Sequence, residues 1–301
     1  MADPGIVARR LLAKLAMQVV EKAHATAKSG TAAAVHNLRV AITRLRNALT
    51  IFPEQVPSRR LNDLDRELKW LMHRLASARE WDVFMADRRP VAAARRHDRP
   101  GMELVNLASA EKRSKAFHQC RQALGSPRCA RLLGRLRQLN SLLPAGANTH
   151  TRAAIALDSS AKRRLRVYGA GILQQQLKKV RKRGQHVGRL DNKALHRLRM
   201  SLKRLRYSSE ILEPAFAAAD TRLYVDAIIE LQDQLGAIQD AIVSRSLAGQ
   251  LKRRLPSRGK AAARAISRSH RPKRKAIKNL KDSWKSFRRL TPFWDHVLHA
   301  E

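Results

Sequence analysis

Residues 36–46 read HNLRVAITRLR and residues 196–206 read HRLRMSLKRLR. The second stretch begins 160 positions after the first, and His36, Leu38, Arg39, Arg44, Leu45 and Arg46 recur as His196, Leu198, Arg199, Arg204, Leu205 and Arg206. On a helix, at about 100° per residue, Leu38, Ile42 and Leu45 fall on one face. His36, Arg39, Thr43 and Arg46 fall opposite, within a sector of about 80°, and Arg44 flanks them. The second copy places His196, Arg199, Lys203 and Arg206 in the same way, with Arg204 flanking. Each copy is therefore an amphipathic helix whose polar face is a row of cation donors about 15 Å long. A basic face of this kind is often simply solvated. Here it is reproduced in both copies, and neither copy contains an acid at i,i+4 spacing within the row.

The 160-residue offset extends beyond these stretches. Leu71 and Leu75 correspond to Leu231 and Leu235, and ASAREWDVF (76–84) corresponds to GAIQDAIVS (236–244), with no gap from position 36 to position 84. Upstream, an apolar-periodic segment around 9–28 corresponds to one around 160–183. Duplication of a helical unit explains this most simply. It sets the halves at 5–143 and 158–290, a linker at 144–157 that opens PAGANTHTR, and a tail at 291–301. Apolar residues recur at helical spacing almost throughout, and no segment sustains strand alternation. Turn-forming pairs such as Ser29-Gly30, Phe52-Pro53 and Glu213-Pro214 divide the chain into helices with short connections. The expected fold class is all-α.

Charge narrows the partner. Lys and Arg number 62 against 24 Asp and Glu, a formal net charge of +38. An excess this one-sided repels itself and calls for a polyanion: nucleic acid, polyphosphate or an anionic membrane surface. Aromatic residues make up 4% of the chain and are nearly absent from the basic rows. Binders of single strands usually stack bases on such rings, so phosphate contact is favoured over base contact. Two further basic runs, KKVRKRG (178–184) and the long segment 253–289, offer extra polyanion contact. Within the latter, Ala262, Ile266, Ile277, Leu280, Trp284 and Phe287 are spaced to pack on the core, and SHRP (269–272) is placed to interrupt the helix.

Signs of catalysis are lacking. There is no P-loop, no GxGxxG and no HExxH. Asp226, Glu230 and Asp233 share a helix face where Mg²⁺ has its usual oxygen donors, but pairing with local Arg or Lys is the preferred reading. His36 and His196 have only basic neighbours on their faces, which suits contact with phosphate and not metal ligation. Cys120 and Cys129 lack metal or redox spacing and read as buried thiols. No apolar run reaches membrane-spanning length. The basic, amphipathic start MADPGIVARRLLAKLAM has features of a transit segment, but the repeat needs it as the first helix of the first half.

HNLRVAITRLR with LKWLMHRLASAREWDVF, and HRLRMSLKRLRYSSEIL with LQDQLGAIQDAIV, resemble the CHAD family, the conserved-histidine α-helical domain. The likeness covers nearly the whole chain, and TPFW (291–294) is similar to the ending of many members. The resemblance implies two four-helix bundles related by a pseudo-two-fold axis, and inorganic polyphosphate held in a basic cleft between or across them. By the same resemblance His36, Arg39, Arg44, Arg46, His196, Arg199, Lys203, Arg204 and Arg206 are the polyphosphate-binding residues. It also implies a cytoplasmic place on polyphosphate granules in bacteria, with granule proteins as partners. The chain departs from the family pattern at Thr43, where a second base is common, and in its acidic pairs, Arg79-Glu80 and Gln239-Asp240. It carries no ExExK signature of the triphosphate-tunnel (CYTH) domain found in many relatives. The expectation is a non-catalytic polyphosphate-binding protein without metal or cofactor. The alternatives are a general polyanion or nucleic-acid backbone binder, and a regulatory subunit of a polyphosphate-metabolising enzyme.

Overall fold

The structure is a computed structural model, and it describes residues 4–86, 98–139, 159–216, 218–270 and 274–299. The linker expected at 144–157 lies outside them. The described residues form helices and no strands, so the chain is all-α.

The first helix, α1 (Pro4–Ser29), buries Leu12, Ala16, Val19, Val20 and Ala23. It ends at Gly30, whose φ of 58° is the left-handed conformation glycine adopts without penalty, and the Gly30 N–H donates to the Thr26 carbonyl. One residue later Thr31 caps α2 (Ala32–Ile51), accepting from the Ala34 N–H at 3.2 Å. The equivalent helix, α8 (Asn192–Leu212), is capped by Asp191, which accepts from the Ala194 N–H at 2.6 Å. The two caps are themselves 160 residues apart, and so are the 3₁₀ turns that follow the helices, Pro53–Gln55 and Glu213–Ala215. Burial runs in parallel along the pair: Leu38, Ile42 and Leu45 are fully buried, as are Leu198, Leu202 and Leu205.

In the first half, α2 packs on α1, on α3 (Ser58–Arg74) and on α4 (Ala76–Ala86), while α4 packs on α5 (Arg99–Leu124) and α6 (Pro127–Gln138) closes against α1. In the second half, α8 packs on α7 (Ser159–Arg183) and on the long α9 (Ala218–Lys252). The α9 helix carries α10 (Ser257–Ser269) and α11 (Arg274–Arg289) on its flank. The long α9 occupies the place of α3 and α4 together. Between the halves, α2 meets α8, α4 meets α9, and α5 meets α10. These three contacts join elements that correspond at the 160-residue offset, and one apolar core runs through both halves.

The segment beyond residue 290 is built into that core. Phe293 and Trp294, just before the short α12 (Asp295–Leu298), pack edge-on to each other and against Phe216 and Tyr224, with centroids 4.7–5.9 Å apart. The Trp294 indole N–H donates to Gln174 Oε1 on α7 at 3.2 Å. The 253–289 segment is two helices, with Ala262, Ile266, Leu280, Trp284 and Phe287 buried as the spacing predicts. Cys120 and Cys129 are buried thiols, and burial pushes Cys129 up to about 11.

Trp294 is fully buried, so Trp294→Ala should cost about 3–5 kcal/mol, the range for losing a large aromatic from a core. Chemical denaturation checks this. A loss below about 1 kcal/mol would show that the C-terminal aromatics are not integral to the second half.

Candidate functional site: a basic cluster between the halves

The helices α2 and α8 are joined along their C-terminal portions. Asn47 Nδ2 donates to Ser208 Oγ at 2.9 Å and to the Arg204 carbonyl at 3.3 Å, so each side of the seam satisfies the other. Glu210 takes a guanidinium from each helix, Arg44 at 2.9 Å and Arg206 at 3.0 Å. Both guanidiniums also lie over the Tyr207 ring. Arg46 donates to Asp65 on α3 at 2.8 Å, and Lys69 approaches the same carboxylate at 2.6 Å. Burial alone would push the Asp65 carboxyl up, but Lys69 and Arg46 outweigh it and hold it below the usual carboxylate range.

The rows hold no acid of their own, as read from the sequence, but acids from beyond them meet three of the expected site residues: Asp65 pairs with Arg46, and Glu210 with Arg44 and Arg206. Arg204 is exposed, with no ion pair among the described residues.

The N-terminal portions of the two rows behave differently. Their cations come together across the halves. Lys203 is half-buried, and its ammonium is pushed down to about 8, first by burial and then by Arg199, Arg39 and Arg206. Asp240 opposes this shift only in part. Arg39 is lowered by burial, with Glu80 raising it and Arg79 and Arg199 lowering it further. Its Nη1 donates to the Met72 carbonyl at 3.0 Å, which fixes the side chain against α3. Arg199 lies along α9 at Gly236, where an added Cβ would sit 3.4 Å from its Nη2. Its Nε is buried with no hydrogen-bond partner among the described residues.

The two histidines sit at the rim of this cluster, both exposed. His36 is lowered by burial, then by Arg79, Lys203 and Arg39. His196 is lowered by burial, then by Arg199 and Lys203, while a hydrogen bond with Gln239 raises it. Residues 79 and 239, which are equivalent in the repeat, thus each approach the histidine of their own half. Arg79 was not among the expected site residues. It also binds Asp82 at 3.3 Å, and Asp82 in turn takes Arg113 at 3.1 Å. The sequence signal for Arg79 was present in ASAREWDVF, one position before Glu80.

His36, Arg39, His196, Arg199 and Lys203 therefore gather with Arg79 at one place. The acids nearby are Glu80, whose carboxyl is raised by burial and lowered by Arg39 and His73, and Asp240. Thr43, opposite Lys203 in the repeat, turns its hydroxyl back to the Arg39 carbonyl at 2.7 Å and adds no charge. Several bases partly buried together depress one another, and a multivalent anion placed among them would relieve that repulsion.

No metal-binding group of three or more acids, histidines or cysteines occurs among the described residues. Glu230, one of the carboxylates that share a face on α9, accepts from Ser283 at 2.6 Å and Gln234 at 3.1 Å instead of from a Lys or Arg. Among the described residues no helix is long and apolar enough to cross a membrane.

Comparison with curated proteins gives no match. Among solved structures, the chain is similar to the CHAD domain from the plant Ricinus communis, at 24% identity and a TM-score of 0.73, over 97% of this chain and 93% of that one. It is also similar to PptA from Streptomyces chartreusis, at 17% identity and a TM-score of 0.68, over 96% of this chain and 100% of that one. At these identities the likeness shows the shared fold. Residues 10–249 match the family model of the CHAD domain, and the chain belongs to that family.

Proposed function

We propose that this protein holds inorganic polyphosphate, without transforming it, in the cleft where α2 and α8 bring their cations together. The observation that carries this reading is Lys203. Its ammonium is pushed down to about 8, by burial first and then by Arg199, Arg39 and Arg206, and a phosphate chain would offset that repulsion. Arginine forks donate two bonds to one phosphate, and lysine adds a point charge. The ring beneath Arg206, Tyr207, is buried and offers no open face for a base, so the ligand is read as a backbone of phosphates and not a row of bases. Placement on cytoplasmic polyphosphate granules in bacteria belongs to the same proposal, since a protein of charge +38 has the electrostatics to coat a polyanionic particle.

Binding of long-chain polyphosphate at physiological salt tests the reading, with RNA of equal phosphate content as competitor. Each guanidinium that donates to phosphate is worth about 1.5–3 kcal/mol. Arg39→Ala with Arg199→Ala should therefore weaken binding by roughly a hundredfold or more, and RNA should displace the chain poorly. Equal displacement by RNA would assign the protein to general polyanion binding, and unchanged affinity in the double variant would remove the cleft from the mechanism.

The depressed lysine adds a pH signature. A bound anion favours the ammonium, so binding near pH 8 should take up a proton, and affinity should fall as pH rises above about 8. Folding stability carries the opposite sign. The unfolded lysine titrates near 10.5, so it binds protons more tightly than the folded one, and Lys203 contributes a gain in stability between about 8 and 10.5. Calorimetry in two buffers of different ionisation enthalpy reads the proton uptake, and Lys203→Gln should abolish it. Binding without proton uptake at pH 8 in the wild type would contradict the placement of phosphate at Lys203. His36 and His196 are lowered in the free protein, so affinity should rise further as pH falls below the usual imidazole range.

A further inference from the structure

A second concentration of positive charge lies on the far side of α8. The last turns of α7 and the face of α11 enclose a recess of about 850 Å³ lined by Lys178, Arg181, Lys182, His186, Trp284 and Arg288. A neighbouring hollow shares His186, Trp284 and Arg288 and adds Arg189 and Lys281. No residue of the inter-half cleft lines either one. The Arg183 guanidinium, in the last turn of α7, donates to Ser201 Oγ. Ser201 lies about 160° around α8 from both Arg199 and Lys203. The recess is therefore separated from the cleft by the body of α8.

Three observations make this recess more than a solvated basic surface. Two basic runs that are about a hundred residues apart in sequence, 178–184 and the part of 253–289 in α11, converge on it. The C-terminal dipole of α7 rewards bases in its own last turn, but it gives no reason for Arg288 and Lys281 to arrive from another helix. None of the lining cations has an ion pair among the described residues, and Asp282, the one acid of α11, is absent from the lining. The wall is also closely built. Gly184 admits the Trp284 ring where an added Cβ would come within 2.1 Å of it, and His186 holds the left-handed conformation with φ of 54°.

We propose that this recess is a second site for a phosphate chain, separate from the inter-half cleft. The assignment rests on the reading of the protein as a polyphosphate binder. Trp284 is only 6% exposed, so it offers an edge and no open face on which a nucleobase would stack. The chemistry on offer is thus cation donors around an anion of closely spaced charges. Two sites on one chain allow it to join two polyphosphate strands, or two turns of one strand, with effective concentration strengthening the second contact.

Calorimetric titration with tripolyphosphate tests this in three proteins. These are the wild type, a cleft variant (Arg39→Ala, Arg199→Ala) and a recess variant (Lys178→Ala, Arg181→Ala, Arg288→Ala), whose changed residues are all surface-exposed. The wild type should bind two equivalents, and each variant one. With long-chain polyphosphate, the recess variant should show a salt slope smaller by about one per cation removed. Two equivalents in the recess variant, or a single equivalent in the wild type that the recess variant keeps, would overturn the second site and leave the cleft standing. Two equivalents in the cleft variant would overturn the cleft, and no binding by the wild type would overturn both. If RNA of equal phosphate content displaces tripolyphosphate from the recess of the cleft variant, the recess is a nucleic-acid contact and the proposal fails.

Discussion

The cation cluster between the halves depends on apolar burial outweighing charge repulsion across the thickness of two helices. Leu38, Ile42 and Leu45 on α2, and Leu198, Leu202 and Leu205 on α8, are fully buried, and each such side chain stabilises by about 1.5–3 kcal/mol. That burial fixes the rotation of both helices, and the rotation carries Arg39, Arg199 and Lys203 to the opposite side whatever their mutual repulsion. Glu210 and Asn47 then pin the C-terminal portions together. The repulsion is left concentrated from His36 and His196 as far as Lys203, where burial first and that repulsion second lower Lys203 and both histidines. The cation cluster and the fold are in tension, and the core decides the outcome.

Much of this architecture can be read in the sequence because it is written twice. A single basic amphipathic helix is ambiguous, but its recurrence 160 residues later identifies the unit. The features that punctuate it recur at the same offset: Thr31 and Asp191 as caps, and the 3₁₀ turns Pro53–Gln55 and Glu213–Ala215 that end the helices. The helical spacing also anticipates the buried faces of α10 and α11, since Ala262, Ile266, Leu280 and Trp284 keep one period through both helices. The membership of the site is less legible. Asp65, nineteen residues beyond Arg46 and on another helix, gives no local sign that it will neutralise that arginine. Arg44 meets Glu210 from the other half of the chain. Charge at a surface is set by which elements meet, and the residue order within one helix does not record that. The same holds for Arg79, which becomes a neighbour of His36 only once α4 is laid beside α2, and for the recess on α7, whose two walls are far apart in sequence.

The halves are alike without being equal. Thr43 stands where the second half has Lys203, and Arg79 where it has Gln239. Charge lost at one position of the first copy is returned at another, so the cluster keeps bases from both sides while its arrangement is skewed. On the proposed function, a chain of identical phosphates has no need of a symmetric receptor. It needs donors at intervals, and the intervals are set by the crossing of α2 and α8.

The seating of Phe293 and Trp294 against Tyr224 and Gln174 bears on how the molecule is made. The helices of the first half precede α7 in the chain, and the single core they begin is completed by helices of the second. The second half lacks the keystone of its core until residue 294 has left the exit tunnel. Throughout that interval α8 carries its arginines on a half-assembled support, and the emerging chain is a basic ribbon beside ribosomal RNA. Late closure of the C-terminal aromatics thus sets the moment at which the nascent protein stops being an indiscriminate polycation and acquires a shaped surface.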